Sequence, residues 1–581
     1  MNFFKFFQNI LISSAFLSVI FLVNSCASTK IAPYANEVHS SFSGDDAVSL
    51  GKTQESRKSY FSRIDESIMK DVENALPASL KRAASSIRKS ENELSEQERV
   101  LLLVISNMMK ILWPDERIDW ESPSNVPETS YIAAIKSSKE GLYDTSTGNV
   151  DFLSSVLPSL VVLKVSDVSD FYAKAQSDLK FALSLNSDSF LVYYLLGILD
   201  FKKGNYEQSL LNLEKAKDFS KDISSVIEYY VSALKLSGKV RESYKVALEN
   251  LEKFPNNICL LKICAENAFE MQLYEQAEDY IAKVLMQNPS DLDSLLFRAK
   301  VLIKSNNYIR AISLLDTYAL QDEEKKEYLI LRSLVQYEWS KNVSASVSTI
   351  EKAIKLYPDD SDVLLFAAKL SDDSFVLVNG KSSDFYAEKI LSVQPENTDA
   401  LKYAVNSYIR KKEFEKAYGL SKKLVSLSPE DSGNVLSFCN ILIELKKVDE
   451  AYQFILPIYR QKMQDENIVQ AYISVLVASK RTQEASSIIS SLLPSASVKM
   501  KSFLYYKKSF LENSVENSLA DLRSSLISNP RNIDSLFRLY EIYFQKKDYR
   551  KAQYYLKQIV ALNPNASEYK KLNDELSKFI K

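Results

Sequence analysis

Apolar and polar positions along this chain repeat on two scales. Within segments, apolar side chains recur at three- and four-residue steps, the spacing that lines one face of a helix. Across segments the same slots return every 34 residues, and the clearest copy runs from Phe190 to Ile223. Counted from Phe190, Gly197 is position 8, Gly204 is 15, Tyr206 is 17, Ser209 is 20, Leu213 is 24 and Ala216 is 27. Stepping by 34 places Tyr172, Tyr206, Tyr274 and Tyr308 at position 17, with Val240 the skipped copy. It places Ala175, Ser209, Ser243, Ala277 and Ala311 at position 20. Small residues at 8 and 20 mark the closest approach of two helices, because larger ones would push the axes apart. One helix pair cannot bury its apolar face alone, so the pattern predicts an array of pairs.

These slots and their period resemble the tetratricopeptide repeat (TPR), a helix–turn–helix unit. The resemblance covers residues 156–565, with starts near 156, 190, 224, 258, 292, 327, 361, 398, 432, 466, 499 and 533. It implies an all-α TPR solenoid, a right-handed superhelix whose concave surface is lined by positions 2, 5, 9, 12 and 13 of each first helix. A second register mark agrees. Pro255, Pro289, Pro358, Pro395, Pro429, Pro530 and Pro564 occupy position 32, and Asn257, Asp291, Asp360, Asn397, Asp431 and Asn532 follow two residues later. The proline closes one helix and the Asx side chain can cap the next. The units from 466 and 499 are degenerate, keeping Ala485 and Ser518. The 361 unit carries three extra residues around Ser371–Asp384, where Phe375–Val378 precede Asn379-Gly380, an expected short extended excursion. Residues 566–581 read as a polar-faced capping helix.

Ahead of the repeats, residues 57–155 read as a helical N-terminal extension. Phe61, Ile64, Ile68, Val72 and Ala75 form an amphipathic stripe, and Ser95 with Glu98 forms a capping box for a buried helix stopped by Pro114. Residues 114–151, with three prolines and two glycines, read as an irregular loop folded onto the first repeats.

Composition sharpens the picture at the chain start. Residues 1–25 read as a secretory signal, with Lys5 the only charge and a 14-residue apolar core from Ile10 to Val23, short for a membrane span. Leu22-Val23-Asn24-Ser25-Cys26 resembles a relaxed bacterial lipobox of the kind seen in spirochaetal lipoproteins. That resemblance makes Cys26 the lipidated first residue of an exported, envelope-anchored chain. Residues 26–56, polar and without apolar period, read as a disordered tether. The formal charge of −2 shows neither a nucleic-acid footprint nor a basic membrane patch.

Candidate chemistry is sparse. The single histidine, His39, lies in the tether, and Cys259, Cys264 and Cys439 lack metal-ligand spacing, so no cofactor and no metal is expected. The inward slots of Cys264 and Cys439 suggest buried thiols acting as small apolar residues. The expected function is therefore a non-enzymatic scaffold or adaptor binding protein or peptide partners, as the TPR resemblance implies. A surface-exposed adhesin is the alternative, and a carboxylate-dependent cell-wall enzyme the remaining one. The concave slots run from apolar (Leu157, Leu160, Leu191, Tyr194, Ile198, Phe201) through charged to aromatic (Phe503, Phe510, Phe537, Phe544). In the charged middle, Lys402 and Asn406 resemble two members of the carboxylate clamp of chaperone-binding TPR domains, although the slots for its other members hold Ser437, Asn467 and Ala471. Lys402, Asn406 and the four phenylalanines are the candidate ligand-binding residues.

Overall fold

The computed structural model describes residues 59–580 apart from 90–92, 147, 220–222 and 563–566. The described elements are helices, with one isolated β-bridge between Val378 and Lys381. The signal, Cys26 and the tether lie outside the described residues. The chain divides into two compact units, Met1–Glu323 and Glu324–Lys581.

Unit 1 ends in four helical hairpins: Phe190–Lys203 with Tyr206–Phe219, Ser224–Leu236 with Val240–Leu251, Ile258–Glu270 with Tyr274–Gln287, and Leu292–Lys304 with Tyr308–Ala319. Unit 2 holds seven hairpins, whose first helices are Lys326–Glu338, Ser361–Ser374, Thr398–Arg410, Ser432–Glu444, Glu466–Ala478, Val498–Lys508 and Ile533–Gln545, followed by a closing helix Ser567–Ser577. All six Asx residues of the register cap a first helix. Asn257, for instance, accepts the Leu260 N–H at 3.0 Å and Asn397 the Ala400 N–H at 3.0 Å. Asp465 does the same for Asn467 and Ile468 without a preceding proline.

The turn inside nine of these eleven hairpins also repeats. Gly204, Gly238, Gln272, Asn306, Lys341, Lys412, Lys446, Lys480 and Lys547 all have φ between 52° and 86°. In this left-handed turn the residue's own amide and the next one bond back to late helical carbonyls, as when Gly204 N–H bonds Phe201 O at 3.0 Å and Asn205 N–H bonds Asp200 O at 2.9 Å. Only two of the nine are glycine, so the remaining side chains bear a local steric cost that hairpin packing outweighs.

Position 20 is closed throughout: Ala175, Ser209, Ser243, Ala277, Ala311, Ser346, Ala417, Ala451, Ala485 and Ala552 are all fully buried. Where the residue is serine, its hydroxyl finds a carbonyl on the facing helix: Ser243 Oγ donates to Val231 O at 2.8 Å and Ser346 Oγ to Ser333 O at 2.9 Å.

The N-terminal extension departs from expectation in two places. Residues 114–151 are not irregular throughout, for a helix Ser130–Glu140 runs through them between the Thr129 cap and the left-handed Gly141. The prolines and glycines on either side are its boundaries. The first helix of the opening repeat is broken into Phe152–Val156 and a 3₁₀ turn Pro158–Leu163, because Pro158 has no N–H to continue an α-helix. The 141–151 segment is tied to the next helix, Tyr172–Leu185, through Asp178, which accepts from Tyr143 Oη at 2.7 Å and Asn149 Nδ2 at 2.9 Å.

Candidate functional site

The slots that the tetratricopeptide resemblance assigns to the concave surface, positions 2, 5, 9, 12 and 13 of each first helix, fall into three groups in the structure. The apolar early slots are closed. Leu157, Leu160, Leu191 and Ile198 are at most 1% exposed, and Tyr194 and Phe201 are 8% exposed. The extension covers this end: Trp113 stacks on Phe190 at 6.2 Å while its indole N–H donates to Ala75 O at 2.8 Å.

The charged middle slots pair with one another across neighbouring hairpins. In unit 1, Lys235 binds Glu266 and reaches Glu270 at 3.6 Å, and Lys262 reaches Asp291 at 2.7 Å. Asp291 is also the cap of the following helix. Burial pushes its carboxyl up, but the Lys262 ammonium and the Ser294 amide and hydroxyl outweigh that and hold it below the ordinary value. Asn257, another cap, donates to Glu228 Oε1 at 2.7 Å. In unit 2, Lys369 reaches Glu338 at 3.3 Å and Arg410 binds Asp372.

The clamp-like pair belongs to this ladder. Lys402 lies 3.7 Å from Asp431, the cap of the next first helix, and Asn406 Nδ2 donates to Asp372 Oδ2 at 3.0 Å. Both point along the array to protein partners, one toward the following hairpin and one toward the preceding one. A ligand carboxylate would have to compete with Asp431 and Asp372 for them.

The four phenylalanines separate into two pairs. Phe537 meets Tyr569 of the closing helix at 5.8 Å, and Phe544 meets Tyr549 at 5.7 Å and Phe579 at 6.5 Å. That helix also reaches back across the unit, where Glu568 lies 3.1 Å from Lys412. Phe503 and Phe510 face cations instead. Lys507 Nζ stands 5.5 Å from the Phe503 ring and 5.4 Å from Tyr506, and the Arg538 guanidinium lies 4.0 Å over Phe510. Phe510 remains 40% exposed. Crowding by protein lowers the Lys507 ammonium pKa, with Asp534 and Glu444 opposing, while part of its surface still reaches solvent.

Sequence reasoning did not single out Lys507, Tyr506 or Arg538. Lys507 occupies a position-9 slot and was legible there; Arg538 occupies none of the five slots, and only the fold brings it over Phe510. Among the described residues there is no group of three or more histidine, cysteine, aspartate or glutamate side chains placed to hold a metal, and no helix long and apolar enough to cross a membrane. Cys264 and Cys439 are buried, which pushes both thiols up to about 12.

Comparison with known proteins gives a family for part of the chain. No curated protein matches. Among solved structures, a tetratricopeptide repeat protein from Parabacteroides merdae is 16% identical, covering 44% of this chain and 98% of its own, with a TM-score of 0.37. Yeast Tom70 is 14% identical, covering 74% and 95%, with a TM-score of 0.34. The Cut9 and Hcn1 hetero-tetramer structure is 12% identical, covering 70% and 94%, with a TM-score of 0.34. Likeness at this level supports no functional statement. Residues 245–335 match the tetratricopeptide repeat family model, and the hairpins on either side repeat the same slots, caps and turns.

Proposed function

We propose that the chain is a non-enzymatic scaffold, held at a bacterial envelope membrane by a lipid on Cys26, that binds protein or peptide segments and serves cell-envelope biogenesis. The binding face lies in unit 2 around Phe503, on the helix Val498–Lys508, and Phe510, in the turn that follows it. One observation carries this: Phe510 stays 40% exposed with the Arg538 guanidinium 4.0 Å over its ring, whereas the apolar slots at the other end of the array are closed. Packing of the repeats does not need an apolar residue there, and exposed aromatics in a charged surface commonly mark an interaction site. Phe537 and Phe544 support that face through their contacts with the closing helix. The tether follows from the Leu22–Cys26 box behind an apolar segment, and several acyl chains on one cysteine would hold firmly, at about 0.8 kcal/mol per buried CH₂.

The test replaces Phe510 with a photo-crosslinking phenylalanine analogue in the full chain expressed in bacteria. A discrete crosslinked species that disappears in a Phe503→Ser background, with the melting temperature retained, is the expected result. Crosslinking only to the chain itself would refute the site. Separately, Cys26→Ala should abolish incorporation of labelled fatty acid, and a mutant that still takes up label would refute the anchor.

A further inference from the structure

The inserted segment of the second hairpin of unit 2 breaks the 34-residue period and is held in an unusual way. Helix Ser361–Ser374 ends on Phe375 at φ 56°, the left-handed turn position that glycine, lysine, asparagine or glutamine fills elsewhere. An aromatic residue there is strained, because its β-carbon crowds the following carbonyl oxygen. The segment after it is pinned. Ser371 Oγ donates to Val376 O at 2.6 Å, Tyr386 Oη to Val378 O at 2.6 Å, and the Asn379 amide to Glu351 Oε1 at 2.7 Å. Val378 is fully buried, while Phe375 and Leu377 are 72% and 60% exposed. A strained loop held by these three hydrogen bonds thus displays two large apolar side chains from which folding gains little. Such an outlier calls for a functional reading.

The charge beside the loop has one sign to spare. Of the four carboxylates Glu338, Asp372, Asp373 and Asp399, the first two are neutralised by Lys369 and Arg410. Asp373 and Asp399 have neither an ion pair nor a hydrogen bond among the described residues. Burial raises both carboxyl pKa values; at Asp373 the Lys369 and Arg410 cations oppose the rise while Asp372 and Glu338 add to it, and at Asp399 the Lys402 ammonium opposes it. Burial raises the Tyr403 phenol pKa, and the charges of Asp399, Asp373 and Asp372 raise it further. The Arg410 guanidinium lies 5.3 Å over the Phe375 ring, so that ring already receives a cation. Lys381, on the far limb, is turned to Phe385 at 5.1 Å.

We infer that Phe375 and Leu377, with Asp373 and Asp399 beside them, form a second docking surface that takes a peptide segment pairing apolar side chains with lysine or arginine. The apolar side chains of the partner cover Phe375 and Leu377, and its cations meet the two unpaired carboxylates. The excess negative charge that favours such a segment repels an anionic lipid surface. This surface is separate from the face around Phe510.

The test is fluorescence anisotropy with the full chain and two short labelled peptides, one alternating lysine and leucine, the other glutamate and leucine. The lysine peptide should bind, and affinity should fall as salt rises. Phe375→Gly with Leu377→Ser should weaken it roughly tenfold or more, as should Asp373→Asn with Asp399→Asn. Phe510→Ser should leave it unchanged. Glycine accepts the left-handed φ, so Phe375→Gly removes the ring without disturbing the loop, and its melting temperature should not fall. Equal binding of the glutamate peptide, or binding indifferent to these substitutions, overturns the proposal. So does a Phe375→Gly chain that melts well below the parent, which would make the ring structural. Retention on phosphatidylglycerol vesicles through Phe375 and Leu377, without peptide binding, would replace the peptide with a membrane surface.

Discussion

Gly197 and Leu213 are packed so closely that a β-carbon on Gly197 would stand 2.5 Å from Leu213 Cγ. They are positions 8 and 24 of one hairpin, and Ser209 Oγ fixes the approach by donating to the Gly197 carbonyl at 2.7 Å. A single methyl group therefore meets a side chain and backbone already in contact.

Gly197→Ala should destabilise the chain by about 1–3 kcal/mol through overpacking, less the small gain from replacing a mid-helix glycine. Denaturant unfolding checks the size, and a Leu213→Ala background should recover part of the loss. Hydrogen exchange should loosen first within residues 190–219, because units of an array couple mainly to their neighbours. An unchanged exchange pattern there would contradict the contact.

Lys446 sits in the left-handed turn at φ 60° and is solvent-exposed. Lys446→Gly should raise stability by about 0.5–1 kcal/mol, the steric relief exceeding the added chain entropy. Lys446→Val should lower it, since a β-branched residue is least tolerant of that conformation. Thermal melts of the two variants should move in opposite directions.

Asp384 supplies a pH signature. Burial pushes its carboxyl up, but hydrogen bonds from Lys411, Ser382 and Ser407 prevail and hold it at about 2. A carboxylate depressed in the folded state stabilises fully above its unfolded pKa of about 3.9 and loses that contribution as pH falls toward 2. Asp384→Asn should therefore melt below the parent at pH 7, and the gap should close between about pH 4 and 2. A gap constant across that window would show that the charge is not responsible.

Thiol chemistry should discriminate by burial. With Cys26 replaced by serine, an aromatic disulfide reagent at pH 8 should react with the partly exposed Cys259 and spare Cys264 and Cys439, whose thiols burial raises to about 12. Reaction of all three at similar rates in the native chain would refute the packing of those slots.

Much of this fold was legible because its determinants are local and periodic. The Asx caps, the small position-20 residues and the hairpin turns each report on a few neighbouring residues, and 34-residue repetition averages out exceptions such as Val240. The helix Ser130–Glu140 escaped because it occurs once and is bounded by prolines and glycines that also mark loops. The candidate site was harder to see for a different reason. Slot positions show which side chains face the first-helix surface and not what meets them there. Lys402 and Asn406 occupy binding slots, but Asp431 and Asp372, 29 residues after one and 34 before the other, engage them. Phe537 and Phe503 look alike in sequence, and only the return of the closing helix gives one a tyrosine neighbour and leaves the other a lysine.

The ladder of pairs between hairpins has a bearing on how this chain can change length. Deleting one whole period keeps every helix in phase, and sequence period alone makes it harmless. Removing residues 258–291, however, would bring Lys300 into the slot of Glu266, opposite Lys235. Lys235 is almost wholly buried, with its side chain 4% exposed, and an unpaired buried ammonium facing a second one is strongly unfavourable. The repeats therefore share a shape without being interchangeable, and their order along the chain is inherited as a set.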